Sequence, residues 1–411
     1  MTESEIITIK DIKDAQEKIS HYLKPSPLFK TEIFDDQLPP ETNLYLKMES
    51  LNKTGSFKER GACYKLLSLT EEQKKKGVIA ASAGNHAQGV AYFAGKLGIE
   101  ATIVMPETTP LIKISSTKKH GAKVVLKGVA FDEAFAEATR LQKEKDLVFI
   151  HAFNDRKIMS GQGTVGLEIL EQNPYIDTVV VPIGGGGLIA GVSCAIKSVN
   201  PNIKIIGVEP ENIPSMKTGI EKNEPQLVSP NSTLADGLNV RIVGDETLKV
   251  CQKYVDEFVT VTEDEIANAI LILLEKGKFV TEGAGATGFA GVLSGKIKNM
   301  GKNVAVIISG GNIDVTMISK IIENGLISTG RLVRFVVEVP DSPGNIGKIT
   351  TIIGNLGANI LELAHNRIFK KNLKYSDVII TLETKGPEHI NKIIEILLKK
   401  DIKSKKVYKC L

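Results

Sequence analysis

The chain has 411 residues, 42% of them hydrophobic and 24% charged, with 37 glycines, a composition that excludes a disordered protein and predicts more than one folded core. Its 52 basic and 48 acidic residues leave a net charge of +4 with no long run of lysine and arginine, so a nucleic-acid stripe is excluded and small-molecule chemistry is expected. Cys63, Cys194, Cys251 and Cys410 lie far apart and form no C-x-x-C pair, which excludes a disulfide framework or thiolate metal site and suits the cytoplasm.

Glu3, Glu5, Asp11, Asp14 and Glu17 alternate with apolar residues, unlike the basic-then-apolar layout of a secretory signal, and predict a retained N-terminal helix. Next comes KTGSFKERGA, residues 53–62. Gly55 permits a sharp turn, and Ser56 with Glu59 has the spacing of a capping box, which sets Lys58 in the first turn of a helix. There the helix dipole disfavours an ammonium and partial burial lowers the pKa further, the conditions that make an amine nucleophilic near neutral pH. Taken alone, the stretch reads first as a capped helix with a solvated lysine, since capping boxes are common and lysines are usually exposed.

From Gly77 to about Leu188, β-branched runs alternate with helical segments; the strand candidates are VIAAS, IEATIVMP, KVVLKG, LVFIHAF and DTVVVPI. This alternation predicts βαβ units and a parallel sheet, whose ligands bind beyond the carboxyl ends of the strands. Three polar loops follow such strands. SAGNHAQG (82–89) opens a helix and offers unpaired amides, with Ser82 and Asn85 as side-chain donors, which suits a substrate carboxylate; Asn85 or Ser82 merely capping, with His86 in the core, is the plain alternative.

GGGGL (184–188) predicts a phosphate cradle, because four consecutive glycines are costly to order without such a use. A rival pattern runs through it. Gly185, Gly187 and Ala190 satisfy G-x-G-x-x-A, and Glu209 ends the strand KIIGVE at the spacing of a ribose-binding acid, as in an NAD-dependent oxidoreductase. SGGN (309–312) closes the strand NVAVIIS with a hydroxyl that can face a ligand. The apolar run AILILL (269–274) is far short of the ~20 residues a membrane span needs, so no membrane partner is expected.

After Asn324 the texture changes. ENGLISTG (323–330) reads as a linker, followed by RLVRFVVEV, a helical NIGKITTIIGNL, ANILEL, KYSDVIITLE, a helical HINKIIEILLKK and VYKC as a candidate last strand. That order suits a small ferredoxin-like domain, and a non-catalytic amino-acid sensor built on it is a third reading of the chain.

In wording and order, KTGSFKERGA, SAGNHAQG, GGGGL and SGGN resemble the fold-type II pyridoxal phosphate enzymes, specifically the threonine dehydratases, over about 50–325. The tail, with DSPGNIG and NLGANI, resembles an ACT regulatory domain. The resemblance implies an α/β fold with two parallel-sheet lobes plus a ferredoxin-like α+β domain: catalytic residues 1–325, with the smaller lobe at about 53–155, and ACT residues 331–411. It implies that Lys58 anchors pyridoxal 5'-phosphate beside Phe57, that Asn85 bonds its phenolic oxygen, that Gly184, Gly185, Gly186, Gly187 and Leu188 hold its phosphate, and that Ser309 faces its pyridine nitrogen.

Ser82, Ala83, Gly84, Asn85 and His86 would then seat the substrate carboxylate, with Gly237 at another edge of the pocket. The implied reaction converts threonine to 2-oxobutanoate and ammonia, with serine giving pyruvate. Related racemases place a serine where this chain has Ala83, which favours dehydration over a serine racemase activity. Gly283 stands after Glu282 where many relatives have proline, and Ser215 stands where cation-binding relatives carry an acid near Glu209, so no metal is expected. Family analogy adds an amino-acid effector at the ACT domain, isoleucine or valine, a role in isoleucine biosynthesis, and a homodimer or homotetramer.

Overall fold

The computed structural model describes residues 6–367, 374–402 and 404–407, which divide into two compact units, one ending at Ile313 and the other starting at Asp314. In the first unit, the helix Ile9–Ser20 opens with Thr8 and Asp11 capping one another and buries Ile12, Ala15 and Ile19. Two sheets follow. One has four parallel strands in the order Lys123–Leu126, Ala101–Met105, Val78–Ala81, Val148–Phe149.

The other sheet has six strands in the order Leu28–Thr31, Asn43–Met48, Asn303–Ile308, Thr178–Pro182, Lys204–Pro210, Glu257–Val261, and only Leu28–Thr31 runs antiparallel. Both sheets carry central strands buried at every residue, such as VIAA and TVVVP, the pattern of strands covered on both faces. The α/β class is as expected from the repeat of strand and helix, and the two parallel-sheet lobes are as the resemblance implies.

Some elements depart from expectation. The strands at 28–31, 43–48 and 257–261 lie outside the strand candidates; in Asn43–Met48 the alternate residues Leu44, Leu46 and Met48 are buried, and so is Lys47 on the opposite face, whose Nζ donates to Glu168 at 2.6 Å, the Ser26 carbonyl at 2.7 Å and Gln172 at 3.0 Å. LVFIHAF contributes just Val148–Phe149 as strand, and His151 onward is loop. No helix among the described residues is long and apolar enough to cross a membrane.

In the second unit, residues 323–328 are not a linker: they finish the helix Val315–Ser328, and the chain breaks only at Gly330, whose φ of +69° a side chain would strain. An antiparallel sheet follows in the order Asn359–Asn366, Tyr375–Glu383, Leu332–Pro340, Ser404–Val407. Alternate residues Val333, Phe335, Val337, Val378, Ile380 and Leu382 point to one face, which the helices Asn345–Asn355 and Pro387–Lys399 cover with Ile349, Ile353, Ile390, Ile393 and Leu397. A last strand is described at Ser404–Val407; of VYKC only Val407 belongs to it, and Tyr408, Lys409 and Cys410 lie outside the described residues.

Candidate active site

Lys58 opens the helix Lys58–Leu67, as the turn chemistry predicts, but the capping box does not form. Phe57 occupies the cap position, the Ser56 hydroxyl is buried without a hydrogen-bond partner, and Glu59 instead accepts from the Thr54 N–H at 2.7 Å and the Thr54 hydroxyl at 2.8 Å. The turn is thus held by Thr54, not Ser56. Lys58 is half-buried, and its Nζ donates to the Ala152 carbonyl at 2.9 Å. Burial lowers its pKa to about 8, partly opposed by the charge of Glu282.

The next residue, Phe153, connects this amine to the glycine turn. A Cβ on Gly185 would enter the Phe153 ring, and one on Gly187 would sit 3.0 Å from the Phe153 Cα. Gly186 has φ +89° and precedes the helix Gly187–Val199, whose hydrogen bonding starts with Ala190 N–H to the Gly186 carbonyl. The amides of Gly187, Leu188 and Ile189 therefore have no partner within the helix and form an anion cradle. Thr247 supports it by donating its hydroxyl to the Gly185 carbonyl at 2.8 Å, while the Leu188 side chain goes into the core. Gly184 packs against Leu238, next to Gly237, whose own Cβ would meet Ala284 at 3.0 Å.

Ser309 enters from the other side: its carbonyl accepts the Phe57 N–H at 3.0 Å, and its 2%-exposed hydroxyl donates to the Ala284 carbonyl at 3.3 Å. In the 82–86 loop, the Ser82 hydroxyl accepts the Gly84 N–H at 3.2 Å, Ala83 offers no polar side chain, and space opens beside Gly84. Asn85 begins the helix Asn85–Lys96 and donates to Glu282 at 2.5 Å. The His86 imidazole turns inward, with Nε2 at 2.9 Å from the Ile150 carbonyl, and burial and then Lys58 push its pKa down to about 3, so it is neutral and away from the pocket. Burial raises the Glu282 pKa to about 7, opposed by the Asn85 hydrogen bond.

A family profile described as Pyridoxal-phosphate dependent enzyme matches residues 19–310, and an ACT domain profile matches 333–399. The chain belongs to the pyridoxal-phosphate dependent enzymes. It is 49% identical over 396 residues to an L-threonine ammonia-lyase of Thermotoga maritima, an alignment spanning 96% of this chain and 98% of that one. Among solved structures, a processed threonine deaminase isoform 2 from Solanum lycopersicum is similar with TM-score 0.72 and 40% identity, covering 76% of this chain and 92% of that one. Maize serine racemase is similar with TM-score 0.73 and 35% identity, covering 78% and 98%.

The geometry of this pyridoxal-phosphate enzyme fits its cofactor: a low-pKa amine, an anion cradle whose turn has no room for a side chain on Gly185 against the Phe153 ring, and a buried neutral hydroxyl line one site. The dinucleotide reading fails there. Glu209 is 1% exposed, and its two carboxylate oxygens accept the Met216 and Lys217 amides at 2.8 Å each, capping the helix Ser215–Lys222 rather than facing a ribose.

Sequence reasoning assigned no role to Ala152, Phe153 or Thr247, and none to Asn312 although its motif was singled out. Ala152 and Phe153 do follow a strand at its carboxyl end, where that rule directs attention.

One consequence is testable without cofactor. In cofactor-free protein, labelling of Lys58 by an amine-reactive reagent, read by peptide mass spectrometry, is expected to rise with pH and level off above about 8. Glu282→Gln lowers that midpoint, because the Glu282 charge favours the ammonium. A midpoint near the ordinary lysine value of 10.5 would refute the burial argument.

Proposed function

We propose that this chain converts L-threonine to 2-oxobutanoate and ammonia, and L-serine to pyruvate more slowly, as a threonine ammonia-lyase. The observation that carries the reading is the low-pKa Lys58 amine set beside the glycine cradle through Ala152 and Phe153. The relatives named as threonine ammonia-lyase and threonine deaminase support it.

Phe57 and Lys58 would hold the cofactor with Asn85, Gly184 to Leu188 and Ser309. Pyridoxal phosphate, when bound, supplies a sink for the electron pair left at Cα when its proton is removed. The loop Ser82 to His86, with the amides at the start of its helix, would bind the substrate carboxylate, and Gly237 would line the pocket. The neutral Lys58 amine is suited to take the Cα proton, after which the β-hydroxyl departs; hydrolysis of the product enamine then gives ketoacid and ammonia. Ser309, a neutral hydroxyl, favours elimination over longer-lived carbanion chemistry. Ala83 brings no hydroxyl to return a proton to the opposite face, which counts against racemisation.

In this reading residues 1–325 form the catalytic domain, with its smaller lobe at about 53–155. Residues 331–411 form a regulatory domain that binds isoleucine or valine between paired copies of a cytoplasmic homodimer or homotetramer. The test is ketoacid release by the holoenzyme from threonine and serine, with and without isoleucine or valine. Threonine turnover exceeding that of serine, altered by an effector, is expected. Absence of ketoacid from either substrate with cofactor bound would overturn the proposal.

A further inference from the structure

Three side chains and one backbone carbonyl in the site form a hydrogen-bonded chain whose direction follows from its ends. Asn312 Nδ2 lies 2.8 Å from the Thr54 carbonyl and 2.7 Å from Asn85 Oδ1. A carbonyl only accepts, so the Asn312 atom between them is the amide nitrogen, and the Asn85 atom it meets must be an acceptor. That leaves Asn85 Nδ2 on the other side, 2.5 Å from Glu282 Oε1. Thr54 is fixed in turn, since its N–H and hydroxyl both donate to Glu59 at 2.7 and 2.8 Å.

The backbone makes room for this arrangement. Gly55 has φ +73°, and a Cβ there would overlap the Asn312 carboxamide; a Cβ on Gly310 would overlap the Glu282 carboxylate. Asn85 is thereby gripped at both ends of its amide, with one N–H on Nδ2 not used by Glu282.

We propose that Asn312 is a positioning residue: by donating to Asn85 Oδ1 it fixes which way the Asn85 amide faces, so that N–H rather than C=O is presented to the cofactor. This rests on the reading above that Asn85 contacts the cofactor. Asn312→Asp is the informative variant, because it keeps the shape but replaces the donor by an acceptor, and so favours the opposite orientation of the Asn85 amide. Asn312→Leu removes the donor without adding charge, and serves if the aspartate variant folds poorly.

The experiment is a double-mutant cycle of Asn312→Asp with Asn85→Ala on the holoenzyme. The readouts are the cofactor dissociation constant, its visible absorption spectrum and kcat/KM for threonine. Asn312→Asp should weaken cofactor binding and lower kcat/KM by about ten-fold or more with a shifted spectrum, and it should add little once Asn85 is alanine. An Asn312 effect that persists in full in the Asn85→Ala background, or no effect where Asn85→Ala has one, overturns the proposal. If Asn85→Ala itself leaves spectrum and cofactor affinity unchanged, the underlying Asn85 reading falls, and the proposal with it.

Discussion

Lys58→Ala is expected to abolish ketoacid release, by at least ~10³-fold, and to remove the protein's covalent hold on its cofactor while leaving a folded chain. The amine makes a single hydrogen bond, to the Ala152 carbonyl, and the burial that lowers its pKa to about 8 shows that the fold favours its neutral form. A lysine whose folded pKa is depressed imposes a cost that is absent above its ordinary 10.5, grows as pH falls from 10.5 to about 8 and is fully present below that, so the alanine variant should melt no lower than the wild type at pH 7. Absorbance, ketoacid release and thermal unfolding measured together separate the outcomes. A folded variant that keeps wild-type turnover would end the assignment of Lys58; loss of turnover with a collapsed melting temperature would make it structural.

Arg60→Met should produce the largest loss of stability, about 3–5 kcal/mol, because it breaks a fully buried charge cluster two residues beyond the lysine. Arg60 meets Glu49 at 2.7 Å and Glu168 at 2.5 Å, and Lys47 meets the same Glu168 at 2.6 Å, so two cations balance two anions out of water. Removing Arg60 leaves the pair of carboxylates with one lysine. Burial pushes the Glu49 pKa up, but Arg60, by charge and hydrogen bonds, and Lys47 outweigh it and hold the carboxyl below its usual value. In the wild type this contribution is present above pH 4.5 and fades as pH falls. Without Arg60 the burial effect is no longer outweighed in the same way, so the penalty should be greater at pH 8 than at pH 5. Urea unfolding of both proteins at the two pH values measures it, and an equal, small penalty at both would show that the cluster contributes little net stability.

Much of the site was legible because its pieces are local. Strand followed by glycine turn followed by helix is written in DTVVVPIGGGGL and in VIAASAGNHAQG, and the periodicity of each segment is a short-range property of the chain. The cap at Lys58 was misread for a related reason. The spacing of Ser56 and Glu59 satisfies a local motif, but Thr54 competes for the Glu59 carboxylate, and the buried surroundings decide between them. In strand Asn43–Met48 the burial of Lys47 is not legible, because the groups that take up its ammonium, Glu168, Gln172 and the Ser26 carbonyl, lie far along the chain.

By itself, then, the sequence determined the α/β class, the presence of a helix after each of the turns KTGSF, SAGN and GGGG, and the chemical types available at each loop. Only the tertiary structure decided that Ala152 holds the amine, that Phe153 backs the glycine turn, that His86 faces inward, and that Asn312 reaches Asn85. The physical reason is one of range. Backbone propensity and capping act over a few residues, whereas burial, pKa and the direction of a side-chain amide depend on which distant groups the packed core brings within hydrogen-bond reach.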